Sequence, residues 1–88
     1  MSAVTVFLAD PHPVYRRGMA SIVRRQGDMR LTGATAQMPS VAQLADDPPD
    51  VLVADPVMLR NRDYWVLRAL AARRLPTRVL LVASVVNQ

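Results

Sequence analysis

The chain has 88 residues, room for one small domain, and its composition of 51% hydrophobic and 20% charged residues is that of a globular chain rather than a disordered one. Its 11 basic and 7 acidic residues give a net charge of +4, every base being arginine and every acid aspartate. The absence of lysine and cysteine excludes Schiff-base, P-loop-lysine and thiolate chemistry as well as disulfides, and a single histidine excludes a histidine-rich metal cluster.

Val4 to Ala9 (VTVFLA) has the β-branched, apolar character of a buried strand and ends at Asp10. Pro11 and Pro13 break it, and Pro13 suits the first turn of a helix running to about Gln26. Tyr15, Met19, Ile22 and Val23 form the expected inward face of that helix, Arg16, Arg17, Arg24 and Arg25 the wet one, and Gly27 the expected C-terminal cap. Arg30 to Thr35 is a weaker strand with Gly33 in its middle. Ser40 caps a short helix over Val41 to Asp46, closed by Pro48 and Pro49. Val51 to Ala54 is a second strong strand and ends at Asp55. A polar loop from Pro56 to Arg62 leads to a helix over Asp63 to Arg74 with Val66, Leu67, Leu70 and Ala71 inward, and Arg78 to Ala83 is a last strand. The aromatic pair Tyr64 and Trp65 at the start of that helix is expected to pack rather than to hold a ligand.

Strands alternating with helices predict an α/β fold with a doubly wound, open parallel sheet. Right-handed crossovers that leave the first strand in opposite directions give the order 2-1-3-4. The two strongest strands are then central neighbours, and both end in an aspartate at the sheet edge where such folds bind ligands. Two carboxylates there could share a hard divalent cation or attack phosphorus. The alternative is that each aspartate simply starts a turn, its side chain accepting from the backbone two residues on.

The string VTVFLADPHPVYRRGMASIV resembles the opening of a bacterial response-regulator receiver domain of the NarL/FixJ (LuxR-type) class. PDVLVADPVM at 49–58 resembles that family's third strand with its phosphoacceptor, and TRVLLVAS at 77–84 its fourth strand. The resemblance implies a flavodoxin- or CheY-like fold in a two-component, phosphorelay system. It puts Asp55 at the phosphoacceptor position, Asp10 first in the family's acidic pair, and the Val57 carbonyl in the metal site. His12 and Pro13 match a His-Pro common in the class, so His12 is expected to lead into the helix rather than to act chemically.

Several positions depart from the pattern. The second acid of the pair is Pro11, and the switch hydroxyl aligns with Ala83, Ser84 standing one residue later on the opposite face. The family's phosphate-pairing lysine after the fifth strand has no expected counterpart, since that strand is expected to be absent and the chain has no lysine, and Leu59 and Arg60 replace a Pro-Gly. Arg60 and Arg62 are candidates to fill the acidic pocket. The expectation is an atypical, phosphorylation-independent receiver and not an enzyme. It requires no cofactor, and Mg²⁺ binds weakly at Asp10, Asp55 and Val57. Alternatives are a phosphorylatable receiver using Asp55 and a small ligand-binding α/β protein.

Residues 1–88 are expected to form one truncated receiver-like domain lacking the fifth strand and last two helices, with any DNA-binding output domain beyond Gln88. The uncovered edge predicts a homodimer through Leu80, Leu81, Val82, Ala83, Val85 and Val86. With no span-length apolar run, no signal peptide and no helix-turn-helix pattern, neither membrane nor direct nucleic-acid binding is expected, and the chain is placed in the cytoplasm.

Overall fold

A computed structural model of the chain describes residues 3–59 and 64–82. The strands β1 (Val4–Ala9), β2 (Met29–Thr35), β3 (Val51–Ala54) and β4 (Arg78–Leu81) alternate with the helices α1 (Pro13–Arg25), α2 (Val41–Asp46) and α3 (Tyr64–Ala72), and a 3-10 turn over Pro56–Leu59 follows β3. All pairings are parallel and the sheet order is β2-β1-β3-β4, as the crossover rule predicts.

The period of two along β1 sorts its side chains to opposite faces. Phe7 and Ala9 join Leu52 and Ala54 of β3 under Leu44, Met58 and Leu70, while Val6 and Leu8 pack under Ala20 and Val23 of α1. Leu8, Leu44 and Leu52 are at most 1% exposed, and each such side chain stabilises the fold by about 1.5–3 kcal/mol. Gly33 is required where it stands: a Cβ there would lie 2.5 Å from the Phe7 ring. The register of β1 on β2 shifts between Val6 and Phe7 to admit this contact.

Several expectations need correction. The inward stripe of α1 is Met19, Ala20 and Val23, whereas Tyr15 and Ile22 are 50% and 59% exposed. The rotation follows from Arg16, which is half-buried because its Nη1 donates to the Asp10 carbonyl at 2.7 Å, and from the small Ala20, which lets the helix approach the sheet. Gly27 does not cap α1 in a left-handed conformation. Gln26 caps it with extended backbone, its N–H donating to the Val23 carbonyl and its Nε2 to the Ile22 carbonyl.

On α3, Leu70 is buried with Val66 and Leu67 beside it, but Ala71 is exposed, and Trp65 is 63% exposed with the Arg68 guanidinium 5.4 Å from its ring. The cap of α3 is a Schellman motif: Leu75 N–H reaches the Leu70 carbonyl and Arg74 N–H the Ala71 carbonyl, with Arg74 at φ 54°. Strand β4 ends at Leu81, two residues short of the expected end, although Val82 N–H still donates to the Ala54 carbonyl.

Candidate functional site

The site is built by the pairing of β1 with β3. Their Ala9 and Ala54 are in register, so the next residue of each chain, Asp10 and Asp55, arrives at the same carboxyl edge of the sheet. The ladder continues one step past the strands, with Asp10 N–H on the Thr35 carbonyl at 3.0 Å and Asp55 N–H on the Ala9 carbonyl at 3.3 Å. Both carboxylates are buried, Asp10 at 0% and Asp55 at 5% exposure.

The turn alternative holds for both aspartates. Asp10 Oδ1 accepts the His12 N–H at 2.8 Å and Asp55 Oδ1 the Val57 N–H at 2.9 Å, each a turn closed two residues on. The same geometry brings the carboxylates together. His12 joins them, which the expected role of this residue did not include. Its Nδ1 lies 3.1 Å from Asp10 Oδ1 and 4.0 Å from Asp55 Oδ2, and one ligand atom from each of Asp10, His12 and Asp55 falls within a 4.8 Å span. The Tyr15 ring meets the imidazole edge-on, with centroids 6.0 Å apart. A signal was present in the sequence: Asp10 and His12 flank one residue, and an Asx turn folds the second back over the first.

Asp10 Oδ2 is buried with no hydrogen-bond partner among the described residues. An orphaned buried carboxylate oxygen is costly, and two carboxylates this close repel unless a cation lies between them. The donor set therefore fits a divalent cation, with Asp10, Asp55 and the His12 nitrogen as the available ligands. Arg16 also places its guanidinium on the Asp10 backbone carbonyl, which the expected wet face of α1 did not foresee.

Pro11, where the second acid was expected, is exposed and lines an open groove of about 440 Å³ with Ala36, Gln37, Met38, Val57 and Met58. Arg60, Arg62, Ala83, Ser84, Val85 and Val86 lie outside the described residues. Of the expected interface, Leu80, Leu81 and Val82 are 54%, 43% and 36% exposed. No described helix is long and apolar enough to cross a membrane.

Neither the family models nor the curated proteins contain a match to the sequence. Among solved structures the chain is similar to the signal receiver domain of a protein described as the response regulator NarL from Mycobacterium tuberculosis. The identity is 26% and the TM-score 0.82, over 99% of this chain and 71% of that one. That similarity and the parallel 2-1-3-4 sheet show that the chain has the CheY-like fold of response-regulator receiver domains.

Proposed function

We propose that this receiver domain is the atypical regulatory module of a response-regulator transcription factor, working through dimerisation or regulatory contacts and not through phosphorylation of Asp55 or catalysis. The observation that carries the reading is Pro11, an exposed ring where the resemblance implies a metal-binding carboxylate. Losing even an outer partner of a metal site commonly lowers affinity about 10- to 100-fold, and a direct ligand should count for at least that. Mg²⁺ binding is accordingly weak.

The state of Asp55 supports the same view. Its Oδ1 accepts the Val57 N–H and its Oδ2 faces His12 Nδ1 at 4.0 Å, so protein groups stand at both oxygens. The partner in this reading is a second copy, docked on the β4 edge, where the described residues Val79 to Val82 are all at least 36% exposed. DNA binding belongs to a segment beyond Gln88 of a longer parent protein, and the setting is the cytoplasm.

Phosphorylation of Asp55 is the second reading, favoured by its place beside Asp10 at the β1–β3 edge. Incubation with acetyl phosphate and Mg²⁺, followed by intact mass measurement, separates the two. Little or no phosphoprotein is expected, and stoichiometric phosphate on Asp55 would overturn the first reading. Light scattering across a dilution series tests the partner: a dimer is expected that Leu80→Asp dissociates, whereas a monomer at all concentrations rejects it.

A further inference from the structure

We propose that Asp10, Asp55 and His12 form a mixed carboxylate–imidazole site for a first-row transition dication such as Zn²⁺ or Co²⁺, with His12 as a direct ligand. The imidazole takes over the coordination that a carboxylate at position 11 would have given. The inference goes beyond the function proposed above and holds whether or not Asp55 accepts phosphate.

Two independent observations meet here. One is the convergence of the ligand atoms. Two ligands held about 2.0–2.2 Å from one ion stand roughly 3–4 Å apart, depending on the angle between them, and His12 Nδ1 lies 3.1 Å from Asp10 Oδ1 and 4.0 Å from Asp55 Oδ2. The other is Asp10 Oδ2, wholly buried and without a hydrogen-bond partner among the described residues, on a side chain that is itself fully buried. A cation bound to that oxygen would remove the deficit.

The chemistry of the donors sets the class of ion. Oxygen ligands alone suit Mg²⁺, whereas imidazole nitrogen suits zinc, cobalt, nickel and copper. Nδ1 ligates through its lone pair, so binding requires the neutral tautomer that carries its proton on Nε2 and replaces the present Nδ1 contact with Asp10 Oδ1. The ring needs little reorganisation, because the backbone of His12 is already tied to Asp10 Oδ1 at 2.8 Å and its edge rests on Tyr15. Arg16 reaches the site from α1, but its Nη1 is directed to the Asp10 backbone carbonyl rather than to the carboxylate.

The chain suits a direct test, since His12 is its only histidine and it has no cysteine. Titration calorimetry on the full, tag-free chain with Zn²⁺, Co²⁺ and Mg²⁺, alongside the Co²⁺ visible spectrum, is the experiment. Because transition ions outrank Mg²⁺ at most oxygen sites as well, the deciding quantity is the selective effect of His12. His12→Ala should weaken Zn²⁺ and Co²⁺ about 10- to 100-fold and abolish the histidine-dependent part of the Co²⁺ spectrum, while changing Mg²⁺ binding less than about threefold. Asp10→Asn should weaken all three ions. His12→Asn, which puts a residue favoured at helix N-caps in that position, and circular dichroism of each variant separate ligand loss from misfolding. Unchanged Zn²⁺ affinity in a folded His12→Ala or His12→Asn variant overturns the proposal, as does wild-type chain that binds none of the ions at millimolar concentration.

Discussion

Strands β1 and β4 have the same apolar character and opposite fates. In β1, Val6 to Ala9 are at most 6% exposed, while in β4 Leu80 and Leu81 are 54% and 43% exposed. The strands differ in position. A strand between two neighbours, β2 and β3, with helices packed on its faces buries both rows of side chains, whereas β4 pairs with β3 alone among the described strands. The same kind of sequence therefore serves as core in one place and stands exposed at an edge in the other. The carboxyl edge of the central pair is buried like the core, and there Asp10 and Asp55 gather.

The comparison is broken most directly by truncation on both sides of it. Leu52→Ala, in the centre, should destabilise the chain by about 2–5 kcal/mol. Leu80→Ala should cost less than about 1 kcal/mol in urea unfolding at concentrations low enough to hold the chain monomeric. Equal costs at low concentration would mean that β4 is covered within one chain. A cost for Leu80→Ala that grows with concentration would mark it as an interface residue.

The other edge strand, β2, sharpens the contrast because it is locked to β1 through Gly33. Gly33→Ala sets a Cβ against the buried Phe7 ring and should destabilise the fold by about 1–3 kcal/mol, read from the urea midpoint. No change would show that the ring moves aside freely.

At the β4 end, Arg74 holds φ 54° in the Schellman cap of α3, a conformation better suited to glycine. Arg74→Gly should raise stability by about 1 kcal/mol in the same assay. A loss would show that the arginine side chain matters more than the strain.

The smallest effect concerns Asp50, fully exposed at the start of β3. The Thr5 N–H at 2.8 Å, then the Thr5 hydroxyl at 3.1 Å, hold its carboxyl below the usual 3.8, with Arg30 assisting. A lowered folded value means the contribution is complete above pH 3.8 and lost as the pH falls through the folded value. Asp50→Asn should therefore flatten the acid limb of a pH–stability curve below about pH 4 and leave its slope at neutral pH unchanged. An unaltered acid limb would remove Asp50 from that role.

Much of this was legible in the residues. The bounds of β1, α2 and β3 follow from apolar runs closed by aspartate or proline and from the Ser40 cap, whose Oγ accepts the Gln43 N–H at 3.1 Å. The pairing of Asp10 with Asp55 follows from strand order. The face of α1 did not follow, because Tyr15 and Ile22 have the right spacing and chemistry to be inward. What turned the helix was the contact of Arg16 with the Asp10 carbonyl, a partner outside the helix. His12 escaped for the same kind of reason: its neighbours in space are Asp10, Tyr15 and Asp55, and the last is reached only when β3 lies beside β1.

By itself the sequence determined the α/β class, the strand order and the two aspartates at one sheet edge, because alternation of apolar runs, local turn chemistry and the handedness of crossovers are properties of the chain. The tertiary structure alone decided that imidazole and carboxylates share one span of 4.8 Å, that Asp10 Oδ2 has no partner among the described residues, and that β4 stands exposed. Those outcomes depend on which surfaces lie against which, and a periodic pattern of residues specifies that a face is apolar without specifying what covers it.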